Sequence, residues 1–196
     1  MHVLKQNLEE FVTISDEEWE EISKLFTYRH FGKSAMIYQG GEIMDTVFYL
    51  SKGVAKSYIY DADHKEFIWQ IYYNHPKSCT KNALLEDCVS YYEKTPSLLN
   101  FEALEDVECY EISREDLETL YESDIKWQYM GRMLTQGAFG NAYKRVVSIM
   151  TQDATTRFTD LLKTYPDIFD YVKAYHIAAY LGITPQSLSR LRKKLP

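Results

Sequence analysis

The sequence predicts an α+β protein: an antiparallel β-roll of jelly-roll type, then one long helix, then a small helical domain. Three observations lead there. From Thr27 to Ser113 the chain reads as short β-rich runs separated by turn residues, the pattern of an antiparallel sandwich or barrel. From about Ser123 to Met150 a long stretch reads as helix. The last 23 residues, Ala174 to Pro196, hold two short amphipathic helices joined by a tight turn and contain no acidic side chain.

Before the roll, Ser15-Asp16-Glu17-Glu18 is a capping box that opens a helix with Trp19, Ile22, Leu25 and Phe26 on its inner face. The expected strands are Ala35–Gln39, Val47–Ser51, Ala55–Tyr60, Glu66–Tyr73 and Val107–Ile112. Tight turns fall at Gln39-Gly40-Gly41-Glu42, Lys52-Gly53 and Asp61-Ala62-Asp63-His64. A second capping box, Ser113-Arg114-Glu115-Asp116, starts a helix through Tyr121. In the long helix, Tyr129, Met133, Gln136, Gly140, Tyr143, Val147 and Met150 follow a 4-3 alternation, interrupted in polarity only at Gln136. Gly131, Gly137 and Gly140 each cost about 1 kcal/mol relative to Ala inside a helix. Close approach of a partner helix would account for them, so a two-fold homodimer is expected.

Composition allows a buried core, with 45% hydrophobic and 15% aromatic residues. The net charge of −7 is unevenly spread. Residues 1–150 carry 15 basic against 25 acidic side chains, whereas residues 151–196 carry 7 against 4. An acidic body with a basic tip suits a nucleic-acid-binding module carried by a separate domain. No apolar run is long enough to cross a bilayer and no leader is evident, so a cytoplasmic location with no membrane partner is expected. Cys79, Cys88 and Cys109 are an odd number without CxxC spacing, and free thiols are expected.

The tip itself is demanding in its spacing. Ile177, Leu181, Ile183, Leu188 and Leu191 supply apolar positions, Ala178 sits where two helices must approach closely, and Gly182 occupies the turn. Gly182 can take positive φ, Thr184 offers a hydroxyl N-cap, and Pro185 fits the first helical position. The result is a helix-turn-helix. On its second helix Leu188, Leu191 and Leu195 form one stripe, while Gln186, Ser189, Arg190 and Lys193 fall on another. Arg pairs bidentately with guanine and Gln with adenine, so Arg190 and Gln186 are the expected base readers. Thr184, Ser187, Arg192, Lys193 and Lys194 suit phosphates, which position a helix without reading sequence.

This order of parts resembles the Crp/Fnr superfamily of bacterial transcription regulators. The resemblance is carried by Tyr38-Gln39-Gly40-Gly41-Glu42, Val47 to Val54 and Phe101 to Asp106 in the roll. In the C-terminal part it is carried by Arg157-Phe158 to Leu162, Tyr165-Pro166 and His176 to Arg190. It is strongest with the short, wingless members found in Bacteroidetes-type bacteria. The resemblance implies a cyclic-nucleotide-binding-like sensor over residues 1–122, a dimerisation helix over 123–150 and a DNA-binding domain over 151–196. It adds Ser189 to the base-reading positions, and implies double-stranded DNA and RNA polymerase as partners.

The sensor departs from the family at its phosphate cassette, roughly Phe-Gly-Glu followed by Arg-Ser. The corresponding stretches are Asn74 to Thr80 and Lys94 to Leu99, with Ser97 or Leu98 where the arginine should stand. No arginine or glycine occurs between His75 and Phe101, so a buried phosphate would keep most of its charge uncompensated. Cyclic AMP is therefore not the expected effector, whose identity is left open. Lys77, Lys81 and Lys94 are the substitute cations to consider. Three cysteines cannot supply an iron–sulfur cluster, and His75, Cys79 and Cys88 are poorly spaced for zinc, so neither cofactor nor metal is expected. Enzyme fingerprints are missing, and the carboxylates look like solvated helix faces. The expected function is a sequence-specific, homodimeric transcription regulator. The alternative is a ligand-binding or protein-interaction module with a vestigial helix-turn-helix.

Overall fold

The computed structural model describes residues 1–73 and 83–193. In chain order these form α1 (His2–Leu8), α2 (Asp16–Ile22) with a 3-10 turn Ser23–Leu25, and strands β1 (Thr27–Phe31), β2 (Met36–Tyr38), β3 (Thr46–Lys52), β4 (Val54–Tyr60), β5 (Glu66–Tyr73) and β6 (Leu84–Leu85). There follow α3 (Cys88–Glu93), β7 (Asn100–Ala103), β8 (Val107–Ser113), α4 (Arg114–Ser123), α5 (Ile125–Thr151), α6 (Ala154–Thr164), α7 (Ile168–Tyr171), α8 (Ala174–Leu181) and α9 (Pro185–Lys193).

Two four-stranded sheets face each other, ordered β1-β8-β3-β6 and β2-β7-β4-β5, and every strand pair is antiparallel. Alternate residues point inward, so Phe48 and Leu50 of β3 meet Ala55, Tyr72, Phe101 and Cys109 in a closed apolar interior. Tyr72 reaches Ser57 there with its hydroxyl at 3.1 Å, and its ring lies 6.0 Å from that of Phe101. The β3–β4 turn needs glycine: at Gly53 φ is +96° and a Cβ would come 2.5 Å from the Asp106 carbonyl oxygen. At the β4–β5 turn the Asp61 carboxylate accepts from the Asp63 and Lys65 amides.

The five expected strands are present with ends that match or shift by one residue. Expectation did not include β1, β6, β7, α1 or α3. Strand β1 is exposed over most of its length, so it carries no apolar alternation to read, and β6 is only two residues long. The first capping box is complete: the Ser15 hydroxyl accepts from the Glu18 amide and the Glu18 carboxylate from the Ser15 amide. The helix stops at Ile22, however, and Leu25 and Phe26 lie beyond its end. The second box is only half of one. Ser113 caps the Asp116 amide, but the Asp116 carboxylate takes the Ser113 hydroxyl (2.6 Å) instead of its backbone N–H. Asp124 caps α5, accepting from the Lys126 amide at 2.9 Å.

The outer faces of the two sheets carry different helices. Val12, Ile14, Ile22, Leu120, Trp127 and Met130 form a cluster that ties α2 and α4 to the start of α5. On the other side, β4 and β5 supply Val54, Tyr58, Ile68, Ile71 and Tyr73 to a core shared with Phe158, Leu161, Ile168, Val172, Ile177, Ala178, Leu181 and Leu188. The four C-terminal helices thus close over a sheet face. Gly131 has a reason inside the chain, contrary to expectation: a Cβ would meet the Tyr121 ring at 2.7 Å. A Cβ at Gly137 or Gly140 would meet nothing within 4 Å among the described residues, which leaves room on the open side of α5.

Candidate nucleic-acid interface

Helix α8 ends where Gly182 takes a left-handed conformation (φ +66°, ψ +35°). The Gly182 amide bonds to Ala179 and the Ile183 amide to Ala178, so two of the last carbonyls of α8 are satisfied by the turn that follows. Two arginines grip the same helix end. Arg157 of α6 donates to the Leu181 carbonyl through Nε (3.2 Å) and Nη2 (3.1 Å), and Arg145 of α5 donates to the Tyr180 carbonyl (2.9 Å). Both positive groups lie at the negative end of the helix dipole. Thr184 then opens α9, its hydroxyl accepting from the Ser187 amide at 3.2 Å.

Helix α9 is anchored by Leu188, which is 1% exposed, with Leu191 half-buried beside it. The opposite face carries Gln186, Ser189, Arg190 and Lys193, all exposed. The structure therefore brings the three expected base readers, Gln186, Ser189 and Arg190, onto one solvent-facing surface. The residues expected at phosphates divide. Lys193 is exposed, and Thr184 is exposed but spends its hydroxyl on the cap. Ser187 is half-buried, with its hydroxyl 3.0 Å from that of Thr184. The Arg192 guanidinium lies over the Phe169 ring at 4.4 Å, which holds it at the flank of α9. Lys194 and Leu195 lie outside the described residues.

Sequence reading missed the polar groups beneath this surface. The Lys56 ammonium is buried between Glu66 (2.5 Å) and Glu102 (3.2 Å). Its neighbour across the interface is His176 of α8, 7% exposed, whose Nδ1 lies 4.0 Å from the Glu66 carboxylate and has no hydrogen-bond partner among the described residues. Burial, with Lys56 and Lys173 close by, lowers the pKa of His176 to about 4. Nothing in the local pattern AYHIAAY marks this histidine as buried against a sheet, because the sheet is a hundred residues away in the chain.

In the sensor half, Asp87 caps α3 and accepts from the Val89 and Ser90 amides. Its second oxygen takes the Ser97 hydroxyl at 2.7 Å, and the same hydroxyl accepts from the Leu99 amide. Ser97, standing where the resemblance would put an arginine, is thus committed to a carboxylate, and the neighbouring Leu98 is 82% exposed. Of the substitute cations, Lys94 is an exposed left-handed residue at the end of α3. Asn74 to Lys81, including Lys77, His75 and Cys79, lies outside the described residues. Cys88 and Cys109 are free thiols, each pushed up to about 12 by burial. No metal-binding cluster occurs among the described residues, and none of their helices is long and apolar enough to cross a membrane.

Against known proteins, residues 28–124 match the cyclic nucleotide-binding domain family. No curated protein sequence matches the chain. Among solved structures, FixK2 from Bradyrhizobium japonicum is similar with a TM-score of 0.72 and 19% identity, over 87% of this chain and 84% of that one. CooA from Carboxydothermus hydrogenoformans has a TM-score of 0.68 and 16% identity, over 91% and 79%. CLP, a c-di-GMP responsive global regulator of Xanthomonas campestris, has a TM-score of 0.66 and 15% identity, over 91% of each chain.

Proposed function

Since residues 28–124 belong to the cyclic nucleotide-binding domain family and the chain has the fold of Crp/Fnr regulators, we propose that this protein is a sequence-specific, double-stranded-DNA-binding transcription regulator that acts as a homodimer. The observation that carries the reading is the outward surface of Gln186, Ser189 and Arg190 on a helix whose opposite face is anchored by Leu188. Arg190 and Gln186 read base edges in the major groove, Lys193 and Lys194 neutralise phosphates, and Arg192 adds charge at the flank. Functionally, residues 1–122 sense, 123–150 dimerise and 151–196 bind DNA. The protein is a cytoplasmic regulator working with RNA polymerase, and not an enzyme.

Dimerisation is supported by the unpartnered side of α5. Phe139 is 72%, Tyr143 63% and Met150 79% exposed, with Tyr129 and Val147 on the same stripe. Burying such residues against a second copy contributes about 1.5–3 kcal/mol each. A paired helix also sets two recognition helices roughly 34 Å apart, as successive major grooves require. Cyclic AMP is not the effector in this reading. Asp87 already occupies the free amides of α3, Ser97 is bonded to it, and the roll interior is filled by Phe48, Tyr72 and Phe101.

Selection of bound fragments from random DNA by the purified protein tests the function. Arg190→Ala is expected to fold and dimerise normally, to lose about 1–3 kcal/mol of discrimination at one base pair, and to keep salt-dependent nonspecific binding. Unaltered sequence preference in that variant removes Arg190 from the base-reading set.

A further inference from the structure

The C-terminal half of α5 stands largely clear of the rest of the chain, yet Arg145 from this half runs inward. One of its nitrogens, Nη2, carries two N–H groups, and they point at two different elements. One goes to the Ile68 carbonyl of β5 at 2.7 Å, the other to the Tyr180 carbonyl of α8 at 2.9 Å. The guanidinium lies on the Tyr180 ring at 3.8 Å, with the Phe67 and Trp69 rings 5.4 and 5.8 Å away. A planar fork pre-organised between aromatic faces loses little freedom in making two bonds, which a lysine could not reproduce. Among the described residues, these bonds join the exposed half of α5 directly to the sheet and to the first helix of the helix-turn-helix. The carbonyl that Arg145 takes is next to the one held by Arg157, at the turn from which α9 departs.

We propose that Arg145 is the positioning residue that fixes where each recognition helix stands relative to the dimer helix, and so sets the half-site separation the protein accepts. The sheet core holds α6 to α9 on the roll, and the α5–α6 joint is held at Gln152, whose carbonyl takes Arg157 (2.6 Å) and whose amide group reaches Asp160. Neither of these ties α8, which leads into α9, to the exposed half of α5. Arg145 does, through a rigid group of five donors in which one nitrogen serves two elements. The inference rests on the DNA-binding reading, but its geometric content is independent of DNA.

The test uses the full chain with Arg145→Met, which keeps an apolar stem between the rings and deletes the donors. A palindromic duplex selected by the wild-type protein is rebuilt with its half-sites one and two base pairs closer or farther apart. Each base pair turns one half-site by about 34°, so a fixed dimer is expected to lose about tenfold or more in affinity at two base pairs. Arg145→Met is expected to lose less than about threefold across the series while binding a single half-site as before. In parallel, spin labels at Glu122→Cys and Ser189→Cys, with the native cysteines replaced and labelled chains diluted in unlabelled ones, report the distance from α4 to α9. A narrow distribution in the wild type and a broader one in Arg145→Met support the proposal. An unchanged spacing profile or an unchanged width overturns it. If the wild type selects no sequence, the functional reading fails and the distance distribution alone decides this one. If Arg145→Met does not fold, Arg145→Lys replaces it, and wild-type spacing selectivity in that variant also overturns the proposal.

Discussion

The first and second halves of α5 share one helix and meet opposite surroundings. In the first, Trp127 and Met130 are 2% and 3% exposed within a cluster supplied by α2 and α4, and Gly131 gives space to the Tyr121 ring. In the second, Phe139 and Tyr143 lie in the open, and Arg145 bonds the helix to β5 and α8. Both halves are rich in apolar side chains. The difference teaches that apolar side chains on a helix report burial without saying whose surface buries them: for the first half it is this chain, and for the second the proposed dimer assigns it to a second copy.

The widest separation between the halves is expected from truncation. Trp127→Ala should cost about 3–5 kcal/mol of unfolding free energy, measured by denaturant titration. Phe139→Glu combined with Tyr143→Glu should leave a folded monomer of nearly unchanged stability and weaken self-association by about a hundredfold or more, read by sedimentation; each buried aromatic carries about 1.5–3 kcal/mol. A double variant that sediments as the wild type erases the contrast. Glycines give a smaller and signed effect. Gly131→Ala should lose about 1–3 kcal/mol by overpacking against Tyr121, whereas Gly137→Ala should gain up to about 1 kcal/mol in the monomer because it restricts the unfolded chain and meets nothing. Thermal melts of the two in the monomeric background check the opposite signs.

The smallest effect concerns the contact next to the open half, where His176 of α8 lies on Glu66 and Lys56. Its folded pKa, about 4, is below the ordinary value of 6.5, so the unfolded chain binds the extra proton between those values. Stability is therefore complete above about pH 6.5 and falls as the pH drops toward 4. His176→Asn should flatten that limb in a pH series of melting temperatures, while the rest of the acid profile persists. A limb of equal slope in both proteins assigns it to carboxylates instead.

Local signals carried much of this molecule. The Ser15 and Ser113 caps, the Gly53 turn, the left-handed Gly182 and the outward face of α9 were all legible, because each depends on residues within one turn of helix or hairpin. Capping, positive φ and a 3.6-residue period need no distant partner. Illegible were β1 and β6, whose place is set by pairing with β8 and β3 across long stretches of chain. So was the reason for Gly131, where a partner helix was expected and Tyr121 stands. Nor does any local pattern show that Arg145 bonds β5 and α8, or that Arg192 lies over the Phe169 ring.

By itself, then, the sequence determined the order of roll, long helix and helix-turn-helix, five of the eight strands, the closed turn before α9 and the set of side chains that α9 presents to solvent. Tertiary structure alone decided that β4 and β5 form the floor of the C-terminal helices, that His176 is buried there, and that Arg145 joins three elements. The physical reason is range. Backbone propensity and amphipathic period act between neighbours in the chain, whereas burial, desolvation and a shared hydrogen-bond donor depend on surfaces that meet only when remote segments fold together.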